Sequence, residues 1–305
     1  MANAREIKGR IESVKNTQKI TNAMYLISST KMRKAKEELE RTRPYFDMQE
    51  HEIRRIFQSE IDITSRYFYP KEGRHPAETY AYLVITADKG LAGAYNHNVI
   101  KRAEEEMRRH KKVRLFVVGE FGRQYFTKHK IPIAQSFLYT AQNPTFDRAR
   151  EIAGVLLDEY HKRHVDEIRV IYSDLANGQE AQVLMRKLLP FERTRFAADG
   201  SGKVEAFNEY EFYPSVESVL NNVIRSYISG CIFGALVDSF CSEQNARMTA
   251  MDSANTNAEE LLSELGVEYN RVRQAAITQE ITEVAAGAKA QRLKRLKEAA
   301  RRESR

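Results

Sequence analysis

Apolar and small positions recur in steps of three and four along two long stretches at opposite ends of this 305-residue chain. The first stretch predicts a helix with Asn3 as its N-cap and Glu6, three residues on, completing a capping-box arrangement. It runs without a break to Arg43. Pro44 then marks a kink rather than an end, because helical spacing resumes through Met48, Ile53, Ile56 and Phe57. Two seven-residue series form its seam: Ile7, Val14, Thr21, Ser28 and Ala35, and Ile11, Gln18, Tyr25, Met32 and Leu39. The seam thins to small and polar residues in its middle, which favours close helix approach.

The second stretch starts at Pro214, after which the chain has no further proline. Its series are Met248, Asn255, Leu262, Tyr269 and Ala276, and Met251, Ala258, Leu265, Val272 and Gln279. Alternating steps of three and four lay both series along one line, as a coiled coil requires. A helix of this length spans about 130 Å, far more than a compact domain needs. Its seam needs a partner, and the N-terminal helix supplies one.

Between the two, strand-like and helix-like runs alternate. Residues 60–78 read as a connection, and Thr79–Thr86 (TYAYLVIT) as a buried strand. A turn then leads into a helix ending near Lys111. Val113–Val118 and Ile131–Leu138 read as strands separated by a short helix at Phe121–Lys130. A helix over Phe146–His164 and a strand over Glu167–Tyr172 complete an α/β pattern with crossover helices. Ala181–Leu189 and Lys203–Phe212 read as an antiparallel pair at a sheet edge, and Pro214 opens the last helix from a first-turn position. The expected divisions are residues 1–59, 60–213 and 214–305, with a basic extension at 288–305.

Charge and candidate chemistry change this picture little. The net charge of +7 permits an acidic partner without demanding one. Basic residues gather on the early helix (Lys8, Arg10, Lys15, Lys19, Lys31, Arg33, Lys34, Lys36) and in the tail (Lys289, Arg292, Lys294, Arg295, Lys297, Arg301, Arg302). No recognised nucleic-acid motif or aromatic interleaving accompanies them, so no nucleic-acid partner is expected. No apolar run approaches the roughly 20 residues of a membrane span, and the N-terminus lacks a secretory leader. Cys231 and Cys241, ten apart on one helix, are too distant to bridge each other.

Asp199–Lys203 (DGSGK) lacks the first glycine and the final Ser/Thr of a phosphate loop, and reads as a hairpin turn. Gly90-Leu91-Ala92-Gly93 sits between strand and helix, where dinucleotides bind, but without G-x-G-x-x-G spacing. His161 and His164 lack partners at metal-ligand spacing. No nucleophile elbow or cysteine–histidine pair is present. The expectation is a chain with no catalytic residues, no metal and no cofactor of its own.

Both ends resemble the gamma subunit of F-type ATP synthase. The resemblance is carried by Glu6-Ile7 through Arg10-Ile11, Ser13–Thr21, Ala23-Met24, Ser28 and Lys31. It continues in Asp88-Lys89-Gly90-Leu91-Ala92-Gly93-Ala94-Tyr95-Asn96, Ser242-Glu243, Ala246-Arg247-Met248, Ala250-Met251 and Asn257. Tyr269-Asn270, Arg273-Gln274-Ala275 and Ile277-Thr278-Gln279-Glu280 complete it. From about residue 120 to 212 the match is one of pattern. The resemblance implies a Rossmann-like central α/β domain plus a long antiparallel coiled coil of the N- and C-terminal helices. Ile7, Ile11, Val14, Met248, Met251, Leu262, Leu265, Tyr269 and Val272 would form its seam.

It further implies a rotor shaft inside a ring of alternating alpha and beta subunits, with the epsilon subunit and the c-ring as further partners. Catalytic sites and ATP would belong to the partners, and the complex would lie peripherally on the cytoplasmic face of a bacterial inner membrane. Met24, Arg247, Arg273, Gln274 and Thr278 match positions of coupling or beta-subunit contact; Arg273 and Gln274 match a pair that hydrogen-bonds a catch loop of beta. The chain departs from the family in continuing past Ala288 as KAQRLKRLKEAARRESR, and in placing Tyr213 before the proline of the last helix. Two other readings stand beside this one: a free-standing coiled-coil adaptor with an α/β head that binds acidic protein or nucleic acid, and an α/β enzyme using the Gly90–Gly93 turn.

Overall fold

A computed structural model describes residues 4–59, 65–69, 77–138, 141–175, 181–192, 196 and 212–303. The pairing expected for Lys203–Phe212, the Asp199–Lys203 turn and the Asn3 cap lie outside the described residues. The chain divides into two units, one of Met1–Tyr25 with Met251–Arg305, the other of Leu26–Ala250.

The larger unit is built on a five-stranded sheet of order β3-β2-β1-β4-β5. Its strands are β1 (Thr79–Ile85), β2 (Lys112–Val118), β3 (Ile133–Phe137), β4 (Glu167–Asp174) and β5 (Gln182–Leu189). The first four run parallel, and β5 closes one edge antiparallel to β4. Each parallel step is made by a helix: α2 (Tyr95–Met107), α3 (Glu120–Lys128) and α4 (Phe146–His161). Strand alternation divides the core in two. Tyr82 and Val84 of β1 face α2 and α3, packing with Val99, Ile100 and Phe126. Leu83 and Ile85 face the other way, onto Ile152 and Leu156 of α4 and the buried stripe Leu220, Ile224, Ile228, Ile232 and Leu236 of the last helix. Parallel strands covered on both faces read as continuous apolar runs, which is why TYAYLVIT was legible.

Two long helices pass through both units: α1 (Ala4–Ser59) and α5 (Val216–Glu303). Buried and half-buried positions on α1 keep steps of three and four on both sides of Pro44, through Leu39, Thr42, Phe46, Gln49, Ile53 and Ile56. Pro44 itself is exposed, so its missing donor falls on the solvent side. In the larger unit Phe46 packs on Phe146 and Phe233, and Tyr227 donates to Glu50 at 2.7 Å. The N-terminus of α5 is capped by Ser215, whose hydroxyl accepts from the Ser218 amide at 3.2 Å. Pro214 precedes that cap instead of occupying the first turn. The apolar part of α5 meets the length and composition of a membrane span, contrary to the expectation from run length. It is 67% buried inside the fold, the state of a core helix.

Candidate functional site

The sequence-predicted site residues fall into two groups, one in each unit. In the smaller unit α1 and α5 pair antiparallel. The Thr21 hydroxyl donates to Asn255, and Gln18 donates to Glu259 at 3.3 Å. Polar groups thus sit where the seam was expected to thin, and they are paired with each other across it. On either side Ile7, Met251 and Leu265 are buried, while Ile11, Val14, Met24, Leu262, Tyr269 and Val272 are half-buried.

From Thr21 back to Ala4 is seventeen residues, and an equal advance from Asn255 along α5 reaches Val272. There the seam ends. Every residue from Arg273 to Arg292 is exposed. Ala276 and Gln279, expected in the seam by spacing, are therefore outside it, because α1 as described no longer lies opposite them. Arg273 and Gln274 stand on this unpaired length, with the large apolar side chains Ile277, Ile281 and Val284 beyond them, 43%, 64% and 73% exposed. The Thr278 hydroxyl is spent on its own helix, donating to the Gln274 carbonyl at 2.9 Å.

Arg247 and Met248 lie in the larger unit instead. The Arg247 guanidinium is 2.6 Å from the Glu243 carboxylate, one turn earlier on α5. It also donates to the Gly90 carbonyl at 3.0 Å. Both residues are buried, and burial raises the Glu243 carboxyl pKa, an effect that Arg247 opposes. The turn that Arg247 holds is the Asp88–Asn96 stretch, and nearly every polar residue of that stretch braces it. Asp88 accepts from the Glu120 amide at the start of α3, at 3.0 Å. Asn96 accepts from the Ala87 amide at 2.9 Å. The Tyr95 hydroxyl lies 2.6 Å from that of Ser239, and burial drives its pKa far upward. Ser242 donates to the Ser173 carbonyl at the end of β4, at 3.1 Å.

These contacts settle what the Gly90–Gly93 turn does. In sheets of this kind ligands bind beyond the carboxyl ends of the strands where strand order reverses, here between β1 and β4. That crevice is occupied by Ser239, Ser242 and Arg247 of the chain's own α5 helix. The reading of the turn as a nucleotide site is overturned. A second missed signal is Gly119, at φ 93°, where a side chain would collide with the Thr86 and Ala87 carbonyls. His164, expected to lack a carboxylate partner, has Glu159 at 3.1 Å, and His161 meets the Tyr67 hydroxyl at 2.7 Å. Among the described residues no group of three metal-ligating side chains comes together.

The fold and site define a class: an α/β unit closed at its ligand crevice by a helix that goes on to pair with the opposite end of the chain. Comparison with known proteins gives that class a family. The model of the ATP synthase family matches residues 3–291. The ATP synthase gamma chain of Ruminiclostridium cellulolyticum is 42% identical over 290 residues, covering 94% of this chain and 98% of that one. The sodium-ion-specific gamma chain of Acetobacterium woodii is 36% identical over 301 residues, covering 94% and 98%. Among solved structures, a chain of the Euglena gracilis mitochondrial ATP synthase (OSCP/F1/c-ring) superposes with a TM-score of 0.65 at 17% identity, covering 94% of each chain. This chain belongs to the ATP synthase gamma chain family.

Proposed function

We infer that this chain is the central-stalk rotor subunit of an F-type ATP synthase, coupling ion-driven rotation of a membrane c-ring to ATP synthesis or hydrolysis at the beta subunits. The observation that carries the reading is the unpaired length of α5 past Val272. An exposed helix bearing Ile277, Ile281 and Val284 in steps of four and three presents an apolar stripe to water. A surrounding ring of alpha and beta subunits would cover it. Arg273 and Gln274 lie at the root of that stripe, free to hydrogen-bond a partner loop.

Magnitudes set the division of labour. Driving a site from 1:99 to 99:1 takes about 5.5 kcal/mol of differential interaction. A hydrogen bond to a charged group contributes about 1.5–3 kcal/mol. The Arg273–Gln274 pair is thus a timing contact, while the asymmetric shape of the paired helices does most of the work. Thr278 acts as a position one turn beyond that contact, while Met24, half-buried on the far side of the Thr21–Asn255 contact from it, acts as a seam-packing position. Arg247 acts at one remove, by fixing the turn that carries Leu91. Catalysis belongs to the beta subunits, and the assembly sits on the cytoplasmic face of a bacterial membrane with epsilon and the c-ring at its foot. The 36%-identical sodium-ion-specific relative leaves both protons and sodium ions as candidates for the coupling ion.

Co-expression with the alpha and beta subunits and native mass spectrometry test this reading. The expected species contains one copy of this chain with three of each partner. Recovery of the chain free of both would return it to the adaptor reading.

A further inference from the structure

Within the larger unit α1 is one continuous helix, but it is held very differently on the two sides of Pro44. After the proline, Ile53 and Ile56 are fully buried, and Glu50 accepts from the Tyr227 hydroxyl at 2.7 Å. The Phe46 ring packs on Phe146 and Phe233. Before the proline, over residues 26–43, Ser28 alone is buried. Met32, Ala35 and Leu39 only border the core, half-buried.

The change falls where the helix is weakest. Pro44 has no N–H for the Glu40 carbonyl, and its ring crowds that carbonyl. Two residues earlier, Thr42 turns its hydroxyl back onto the Glu38 and Leu39 carbonyls at 3.0 and 3.1 Å, a contact that bends helices. Opposite this turn α5 leaves room. A side chain at Gly230 would strike the Phe46 ring, so the two helices touch there. Four residues back from Phe46 on α1 and four on from Gly230 along α5, Thr42 comes level with Gly234. Nothing lies within 4 Å of the place a side chain at Gly234 would take. Packing requires a glycine at 230, whereas at 234 glycine weakens the helix and fills no tight contact.

We propose that residues 42–44 are a hinge in α1. The length before it, residues 26–43, opens and bends as an arm, while the length after it stays locked in the α/β core. Three observations meet at this one level: a backbone hydrogen bond that the proline removes, a step in burial along α1, and open space on the facing helix. A sideways load on the arm is taken up where the hydrogen-bond ladder is already broken, instead of being passed to Phe46, Ile53 and Ile56 and so into the sheet. The two sides of the hinge therefore open with different free energies, as separate units of one helix.

The test is hydrogen exchange of the full chain, read by mass spectrometry on overlapping peptides. Amides of residues 32–43 should exchange at least about tenfold faster than those of residues 46–56. Pro44→Ala restores the missing bond at an exposed position, so the fold is retained. It should slow the first group at least about tenfold and leave the second unchanged. A control, Asp47→Ala, alters an exposed residue after the hinge and should leave residues 32–43 within about threefold of the parent. Protection that changes smoothly through Pro44 with no step would overturn the proposal. So would a Pro44→Ala chain whose first group exchanges as in the parent, or one in which both groups slow alike. The assay uses the chain alone, so its outcome is independent of the rotor reading.

Discussion

Arg247 holds the Gly90 carbonyl at 3.0 Å with one arm of its guanidinium and the buried Glu243 carboxylate at 2.6 Å with the other. Through this one side chain α5 fixes the turn that fills the mouth of the sheet. Removing one partner of a buried pair leaves the other charge uncompensated, which costs about 3–5 kcal/mol. Arg247→Ala is expected to lose that much in urea denaturation. Arg247→Met with Glu243→Leu recovers most of it, although the Gly90 carbonyl stays unsatisfied. A single variant as stable as the parent would show that the pair does not brace the turn.

A side chain at Gly230 would run into the Phe46 ring where α1 crosses α5. Gly230→Val is therefore expected to destabilise the chain by about 1–3 kcal/mol through overpacking. Phe46→Leu should restore part of that loss, since it vacates the space the valine needs. Melting temperatures of the two singles and the double check this, and strict additivity would contradict it.

Asp238 on α5 is a half-buried carboxyl whose ionisation the fold opposes. Burial, and then the neighbouring Asp174, raise its carboxyl from 3.8 to about 6, against Arg186, Arg43 and Lys36. A raised carboxyl penalises the ionised folded state, so this group lowers stability above pH 6 and the penalty lifts as pH falls from about 6 towards 4. Asp238→Asn should accordingly stabilise the chain at pH 8 by about 2–3 kcal/mol. The gain should vanish near pH 4. Denaturation midpoints of both proteins across this range decide the matter, and a gain that grows on acidification would have the wrong sign.

Arg273 and Gln274 are exposed and lie beyond the seam. The double variant Arg273→Ala, Gln274→Ala should melt within about 0.5 kcal/mol of the parent, as surface substitutions do. In a reconstituted complex it should lower ATP hydrolysis and pumping by about tenfold or more if the pair is the proposed timing contact worth about 1.5–3 kcal/mol. Unchanged turnover would remove the timing role.

What was legible in the sequence was whatever repeats. The seven-residue series on α1, read as far as Ala35 and Leu39, continue past Pro44 through Thr42, Phe46, Gln49, Ile53 and Ile56, because a proline on the solvent face costs one exposed hydrogen bond and leaves the stripe intact. Met48, expected to carry the spacing on, is exposed. The central strand β1 announced itself as a near-unbroken apolar run. The extent of the seam did not. Ala276 and Gln279 continue the period, but periodicity records which face a residue occupies and is silent on where the partner helix begins. The role of Asp88–Asn96 was also hidden, since a glycine-rich turn after a strand looks alike whether it cradles a ligand or is clamped by a helix 150 residues later. Gly119 carried a signal of backbone necessity that one sequence cannot display.

The central claim is that this chain turns. Its most direct test attaches a bead through a single introduced cysteine at exposed Lys112, in a cysteine-free background, and watches the immobilised complex with alpha and beta subunits. Unidirectional rotation is expected on adding ATP, slowed in the Arg273→Ala, Gln274→Ala complex. An active complex whose bead stays still, or only fluctuates in both directions, would contradict it.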